Sequence, residues 1–343
     1  MGVTTQDIFR DDRGEPATPD SYGEKPRGYR LPAATQLGPV QLRVANLDRS
    51  IAFYTQVLGL RETHREGDRA RLAPAEGSRT LVELHEVAGV GRPPKRGRTG
   101  LYHFAILLPT RAALGQFVRH LAASNVYAGA SDHLVSEAFY LSDPDGLGIE
   151  VYADRPRDTW RRVGRELMMA TDPIDMRGLV AAAGDTEWTG MPAGTVMGHV
   201  HLHVGALDKA AAFYGDAVGF DRIAWSYPGA LFMSAGGYHH HLGTNIWAGA
   251  GATPPTADEA GLIEWTLVVP TAADVAAVGA NVAAAGFAVS RDGGDVLTTD
   301  QGERVFVSEV PHEHTPDDAR DARARAGWRR GHDARERARA HAR

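Results

Sequence analysis

The chain of 343 residues contains no cysteine, and this absence excludes several classes of functional site. Disulfide scaffolds, iron–sulfur clusters, thiolate zinc sites and cysteine nucleophiles all need that residue. Long hydrophobic runs are absent too: no segment approaches the roughly 18 apolar residues of a membrane span, and the N-terminus lacks the apolar core of a secretory signal. The net charge of −6 does not favour nucleic acid as a partner. We therefore expect a cytoplasmic protein with neither a membrane nor a nucleic-acid partner.

What the sequence does contain is an internal repeat. Residues 37–60 and 197–220 share an alternating strand pattern, followed by Leu-Asp, then Ala-Phe-Tyr, then a leucine or valine before glycine. The segments Gly100–Thr110 and Gly261–Thr271 match each other at almost the same separation. Two independent matches at nearly one separation indicate that the chain contains a duplication.

Each half of the duplication divides again into two units. A strand-like run is followed by an amphipathic helical run and then by short alternating strands, which is the order βαβββ. The sequence therefore predicts an α+β fold in which four βαβββ modules form two curved-sheet domains. The N-terminal arm is expected either to be mobile or to wrap around the domains. The predicted segments are the arm at 1–36, a first domain at 37–154, a linker at 155–196, a second domain at 197–310 and an Arg/Ala-rich tail at 311–343.

Four modules with these motifs resemble the vicinal oxygen chelate superfamily, which includes glyoxalases, bleomycin-resistance proteins and type I extradiol dioxygenases. In that superfamily, modules pair into a curved sheet that cups a divalent metal ion. The segment Ser131–Trp160 is similar to the signature of two-domain bacterial catechol 2,3-dioxygenases, in which a histidine precedes a tyrosine, an Asp-Pro-x-Gly turn and a glutamate. These residues are here His133, Tyr140, Asp143–Gly146 and Glu150.

The resemblance implies metal ligands in the first and last strands of the modules. The equivalent positions of the four first strands hold Pro39, His103, His199 and Glu264. The last strand of the second module offers Glu150, whereas the fourth has Phe306, which cannot bind a metal. If the second and third modules share one cup, His103, Glu150 and His199 form the set of two histidines and one carboxylate associated with non-haem Fe(II). Mn(II) is the second candidate ion, and the first and fourth modules are expected to form a cup without a metal site.

Two further histidines compete with His199 for the position of ligand. His201 and His203 lie on the same face of the strand, because side chains alternate with a period of two. His199 is favoured because it directly follows a glycine, where the ligand of the superfamily lies. His201 and His203 would then line the cup or its rim.

The same resemblance implies roles for residues beside the metal. Tyr140 would donate a hydrogen bond to a bound substrate oxygen, and His133 would act as an acid during cleavage of the O–O bond. The cluster Tyr238–His241 lies beside the expected metal position. Within it, we expect His241 to face the metal and to take a substrate proton, with His239 as the alternative.

The function implied by the resemblance is extradiol cleavage of a catechol by O₂, which gives a ring-opened semialdehyde. Two alternatives stay open. A glyoxalase-type isomerase or lyase would share the fold and use a metal without O₂, usually with two glutamate ligands. A non-catalytic sequestering protein would bind its ligand in an aromatic groove and would generally lack metal ligands. Association of chains into a homo-oligomer is a further expectation.

Overall fold

A computed structural model describes residues 2–75, 78–292, 294–300 and 303–309. The Arg/Ala-rich tail predicted at 311–343 lies outside the described residues. Among the helices within the described ranges, none is both long and apolar enough to cross a membrane.

The first half of the chain contains the first two modules, preceded by a short helix and strand. Its elements are α1 (Thr5–Phe9), β1 (Glu15–Pro16), β2 (Gln36–Val44), α2 (Leu47–Gln56), β3 (Arg61–Glu66), β4 (Arg69–Ala73), β5 (Val82–Glu86), β6 (Gly100–Leu107), α3 (Arg111–Ala123), β7 (Gly129–Asp132), β8 (Ser136–Ser142) and β9 (Gly148–Asp154). The segment predicted as a linker has structure of its own. It contains a 3₁₀ turn (Arg157–Thr159), β10 (Arg161–Val163), β11 (Glu166–Leu167) and α4 (Met176–Ala182).

The second half repeats the order of the first. Its elements are β12 (Val196–His203), α5 (Leu207–Ala210), a π-helical segment (Ala211–Val218), β13 (Asp221–Ala224), β14 (Ala230–Ser234), β15 (Leu242–Asn245), β16 (Gly261–Val269), α6 (Ala272–Ala284), β17 (Val289–Asp292), β18 (Asp295–Asp300) and β19 (Glu303–Glu309). The predicted α+β fold of four βαβββ modules is confirmed.

Within the described part of the chain, the module strands form two eight-stranded sheets, and each sheet takes one module from each half. The inner sheet joins the third and second modules in the order β13-β14-β15-β12-β6-β9-β8-β7. The outer sheet joins the fourth and first modules in the order β17-β18-β19-β16-β2-β5-β4-β3. Neither predicted domain, 37–154 or 197–310, coincides with one sheet, because the central antiparallel ladders join β12 to β6 and β16 to β2. The boundaries follow the duplication instead.

Local sequence explains where most of the module helices begin. Asn46, Thr110 and Thr271 cap α2, α3 and α6, and each side chain accepts a hydrogen bond from a backbone N–H of the first turn. The third module lacks such a cap, since Ala206 precedes α5. There the regular helix predicted by the sequence turns into the π-helical segment, which ends at Gly219 in the left-handed conformation. Cap residues therefore distinguish the three regular helices from the irregular one.

The N-terminal arm wraps around the molecule, which is one of the two expected alternatives. Strand β1 forms a small sheet with β10 and β11. The carbonyl of Val3 accepts a hydrogen bond from the backbone N–H of Thr171 at 2.8 Å. The backbone N–H and hydroxyl of Thr5 donate to the carboxylate of Asp172 at 2.8 and 2.6 Å. The arm and the linker thus hold each other in place.

A β-bulge in β6 changes the direction of one side chain near the centre of the inner sheet. In the β12–β6 ladder, His201 pairs with His103 but Leu202 pairs with Leu101, so Tyr102 is the extra residue. Bulges commonly turn a side chain toward a neighbouring site. The backbone carbonyl of Tyr102 lies only 2.0 Å from where a Cβ atom of residue 148 would be, and this residue is glycine.

Replacement of Gly148 by alanine is expected to lower the free energy of unfolding by about 1–3 kcal/mol, because the added methyl group meets backbone that cannot rotate away. Gly129→Ala in β7 is the matched control, since its Cβ would make ordinary contacts at 3.8 Å. Thermal or urea unfolding of the two variants measures the difference. Equal free energies of unfolding for the two variants would contradict this prediction, because they would mean that the backbone at Tyr102 can move away from the added methyl group.

Candidate metal centre

Alternation along the inner strands separates an apolar face from a polar one. Strand β6 buries Phe104 and Ile106 in a hydrophobic core that includes residues of both sheets. His103 therefore lies on the opposite face, and the same alternation in β9 and β12 places Glu150 and His199 there. Ala105 lies between Glu150 on one side and His199 on the other. Its small side chain leaves room for the larger groups to meet above it.

Three side chains converge on this face. The Nε2 atoms of His103 and His199 lie 3.0 and 3.1 Å from Oε2 of Glu150 and 3.3 Å from each other. All three residues are buried. They form the group with metal-binding geometry in the part of the chain that the structure describes.

The separations of the donor atoms fit a single metal ion. Two ligand atoms with bonds of about 2.1 Å at a right angle are about 3.0 Å apart. Donors at 3.0, 3.1 and 3.3 Å thus suit three adjacent coordination positions on one side of an ion. Two imidazoles and one carboxylate are also ligands that first-row divalent ions accept. The group can therefore hold a metal ion and leave other coordination positions free.

Burial and neighbouring groups set the protonation states of these residues. Burial acts to raise the pKa of Glu150, but attraction to His199 and hydrogen bonds from His103 and His199 outweigh it, and the pKa lies well below its usual value. Burial lowers the pKa of His199 to about 4, although Glu150 opposes this change. At neutral pH, the carboxylate is ionised and the imidazole of His199 is neutral. These are the states that metal ligands need.

His133 and Tyr140 form a hydrogen-bonded pair beside the triad. Nδ1 of His133 lies 2.7 Å from the carbonyl oxygen of Ala170, and Nε2 lies 2.6 Å from the hydroxyl of Tyr140. Because a carbonyl only accepts, Nδ1 carries the proton of the neutral ring, and Nε2 accepts from Tyr140. Burial raises the pKa of Tyr140 well above its usual value, and Glu150 adds to this effect. The hydroxyl therefore stays protonated as a donor.

The histidine cluster of the third module differs from expectation. His240, and not His241, lines the cavity beside the triad, with its ring centroid 3.9 Å from that of His199. Nδ1 of His241 instead accepts from the backbone N–H of Ala235 at 3.2 Å. The expectation assumed a strand, but β15 begins at Leu242, and the preceding cluster is irregular. Period-two alternation does not apply there, and His241 is not among the residues that line the cavity.

His239, the alternative to His241 in the sequence analysis, links His240 to Asp154 by hydrogen bonds. Nε2 of His239 lies 2.9 Å from Oδ1 of Asp154, and its Nδ1 lies 2.7 Å from Nδ1 of His240. With both imidazoles neutral, His239 donates to Asp154 and accepts from His240. Burial lowers the pKa of His240 well below its usual value. Nε2 of His240 is then the unprotonated ring nitrogen available on the cavity side.

The two histidines that competed with His199 lie outside the triad. His201 lines the same cavity, and its Nε2 is buried without a hydrogen-bond partner among the described residues. Nδ1 of His203 donates to the side-chain oxygen of Asn245 at 2.6 Å. Of the three histidines on this strand, the structure brings His199, the one that follows a glycine, to His103 and Glu150.

A cavity of about 440 Å³ contains these groups. The three candidate ligands line it, and so do three further residues: His133, Tyr140 and His240. Its remaining wall includes aromatic residues, the linker and the start of the N-terminal arm, among them Tyr102, Trp247, Tyr227, Phe232, Thr171 and Val3. The sequence alone did not indicate His240 or Tyr102, because an irregular loop and a bulge turn these side chains toward the cavity.

Known proteins resemble this chain over most of its length. The family model of the Glyoxalase/Bleomycin resistance protein/Dioxygenase superfamily matches residues 36–151 and 196–306. A catechol-2,3-dioxygenase of Bacillus subtilis (strain 168) is 44% identical over 280 residues, which cover 80% of this chain and 97% of that protein. The crystal structure of a candidate dioxygenase from Bacillus subtilis subsp. subtilis str. 168 covers 83% of this chain and 87% of its own, with a TM-score of 0.56 and 15% identity. The chain therefore belongs to the glyoxalase, bleomycin resistance protein and dioxygenase superfamily.

Proposed function

We propose that this protein is an extradiol dioxygenase, which uses O₂ to cleave a catechol ring next to the diol. The observation that carries the proposal is the convergence of His103, Glu150 and His199 in a cavity that also holds the His133–Tyr140 pair. The triad accounts for a metal that binds a diol and O₂ together, and the pair accounts for proton transfer. The identity of 44% with a catechol-2,3-dioxygenase supports the same conclusion.

The metal that we propose is Fe(II), with Mn(II) as the alternative. His103, Glu150 and His199 would hold Fe(II), which would supply open positions for substrate and O₂ and a route for electrons from the ring to O₂. Two neutral imidazoles and one carboxylate cancel only one of its two positive charges. The remaining charge favours binding of the substrate as a catecholate monoanion.

Binding of a monoanion requires that one of the two catechol protons be removed. Nε2 of His240 is the nitrogen that accepts this proton. It is unprotonated, because the proton of the neutral ring is on Nδ1, which donates to His239. Asp154 holds His239 in the matching tautomer through the contact at 2.9 Å. In this arrangement, His240 accepts the first proton and His239 keeps its ring oriented.

The second catechol proton is handled by the His133–Tyr140 pair. The Tyr140 oxygen accepts a hydrogen bond from the second diol hydroxyl, and the Tyr140 hydroxyl donates to Nε2 of His133, so the second diol proton can pass through Tyr140 to His133. Nε2 of His133, 2.6 Å from the Tyr140 hydroxyl, holds this proton and returns it through Tyr140 to an oxygen atom of the ring-opened product, so the pair ends in its starting state. Nδ1 of His133 stays fixed on the carbonyl of Ala170 throughout.

The direct test is loading of the purified protein with Fe(II) under anaerobic conditions, followed by catechol and air. We expect consumption of O₂ in equal molar amount to catechol and formation of a yellow ring-opened semialdehyde. A parallel sample loaded with Mn(II) identifies the active ion. Glu150→Ala treated in the same way controls for the chemistry of free iron.

Two other outcomes would reject the proposal in different ways. A protein that holds the metal and binds catechol without taking up O₂ would be assigned to metal-dependent isomerase or lyase chemistry. A protein that retains no metal under any loading condition would be assigned to sequestration of small molecules.

The histidine cluster provides a separate prediction that distinguishes His240 from His241. In His240→Phe, we expect turnover to fall about 100-fold with metal content unchanged, because a base is lost but no ligand. In His241→Phe, we expect the free energy of unfolding to fall by about 1–3 kcal/mol, because the backbone N–H of Ala235 loses its acceptor. Turnover per bound metal, metal content and thermal unfolding measure the two effects. The reverse pattern would restore His241 to the site.

A further inference from the structure

A second cavity adjoins the metal cavity and shares part of its wall. It has a volume of about 490 Å³ and reaches the loops at 93–99 and 255–260 and the start of β16. Three residues line both cavities: Tyr102, His103 and Tyr140. His103 and Tyr140 belong to the candidate metal set and the proton-transferring pair. Tyr102 is thus the shared residue whose removal would join the two spaces and leave those groups in place.

Tyr102 is held over the boundary by aromatic contacts. The β-bulge in β6 turns it toward the rings of its neighbours, with centroid distances of 5.0 Å to His103, 5.1 Å to His201, 4.9 Å to His203 and 5.5 Å to Trp247. Tyr102 as a whole nevertheless remains 40% exposed. A ring in this position fills space between the cavities and is not part of the buried core.

The lining of the second cavity indicates what it would accept. Its lining includes the apolar residues Leu101, Leu141, Leu147, Ile149 and Leu262. Two cationic residues, Lys95 and Arg98, also line it. The guanidinium of Arg98 is already paired with Glu259 at 2.9 Å and donates to Thr253 at 2.8 Å. The apolar residues of the lining therefore offer the surface that an uncharged substituent would contact.

We propose that Tyr102 is a specificity-determining residue that limits the substrate to small catechols by closing the metal cavity against the second cavity. This inference rests on the proposed function. At about 440 Å³, the metal cavity lies toward the lower end of the 300–1,000 Å³ typical of small-molecule sites. Without the ring of Tyr102, an alkyl or aryl group on the catechol would extend into the apolar second cavity while the diol remains at the triad.

The test compares catechol with a phenyl-substituted catechol in the Fe(II)-loaded full chain. Anaerobic calorimetry gives Kd for each ligand, and O₂ uptake gives kcat/KM. In Tyr102→Ala, we expect the preference for the phenyl-substituted catechol over catechol to rise at least tenfold in both measurements. Tyr102→Phe is the matched control, because it keeps the ring, and it should retain the wild-type ratio. Tyr102→Leu, which preserves apolar contact, repeats the test if the alanine variant folds poorly.

A second substitution tests whether the phenyl group of the substituted catechol occupies the second cavity. Pro255→Trp fills the second cavity from its half-buried loop and, combined with Tyr102→Ala, should reverse the gain. An unchanged ratio in Tyr102→Ala and Tyr102→Leu would overturn the inference, as would a gain that Pro255→Trp leaves intact. Failure of the proposed function is distinguishable, because the wild-type protein would then consume no O₂ with either catechol.

Discussion

Replacement of Glu150 by alanine is expected to lower metal affinity by more than about 100-fold. Loss of a residue that merely supports a ligand typically costs about 10–100-fold, and Glu150 is itself placed as a ligand. It is also the anionic member of a triad in which Oε2 lies 3.0 and 3.1 Å from the two histidine nitrogens. Without it, a divalent ion in a buried site would face two neutral imidazoles and keep its full charge.

The fold itself should tolerate the change. A buried carboxylate is costly to desolvate, so its removal need not destabilise the metal-free protein. We therefore expect similar thermal unfolding of the metal-free wild type and variant. Added Fe(II) should raise the unfolding temperature of the wild type alone, because a ligand stabilises the state that binds it. Metal analysis after gel filtration provides the second measurement.

Glu137 offers a matched control for this experiment. It is another buried carboxylate of the inner sheet, but it pairs with Arg111 and lies outside the cavity. Glu137→Gln should lose stability and keep its metal, which is the opposite pattern. A Glu150→Ala protein that retains one metal per chain would remove this residue from the metal set.

The second large effect is expected for His133. In His133→Phe, we expect kcat to fall by at least about 100-fold, since general acid–base catalysis by one side chain contributes about 10²–10⁴-fold. The phenyl ring keeps the shape of the side chain and removes both of its contacts, to the carbonyl of Ala170 and to the hydroxyl of Tyr140. Metal content and anaerobic binding of catechol should persist, because neither depends on this ring.

His64 on strand β3 of the outer sheet is the matched control for this substitution. Its side chain is 57% exposed, and it lies far from the inner cavity in the order of the strands. His64→Phe should leave turnover unchanged. If His133→Phe binds catechol and turns it over at the wild-type rate, the proton must come from another group, and the pair with Tyr140 is structural.

Much of the candidate site could be predicted because its signals are local in sequence. The division into four modules gave His103 and His199 equivalent first-strand positions, and the motif from His133 to Glu150 spans only two strands and one turn. Within such a segment, alternation alone decides which side chains share a face. Whether the triad assembles depends on which modules pair, and the sequence left that open as a condition.

Other features of the site could not be predicted because they depend on departures from regular structure. The positions of His240 and His241 are set by an irregular turn in which neighbouring residues do not alternate. Tyr102 faces the cavity because one residue of β6 is left unpaired, and Gly148 makes space for the displaced carbonyl. Both cases require knowledge of the backbone that packs against the segment.

The sequence by itself determined the four-module plan, and its resemblance to the superfamily indicated the residue types of the candidate metal set and their positions in first and last strands. The module plan follows from periodicity and repetition, and the resemblance rests on a motif whose residues are close along the chain. Only the tertiary structure decided that the second and third modules share a sheet, that His240 borders the metal cavity, and that Tyr102 separates it from a second cavity. Those outcomes are set by the burial of strand faces contributed by distant segments, which no local pattern records.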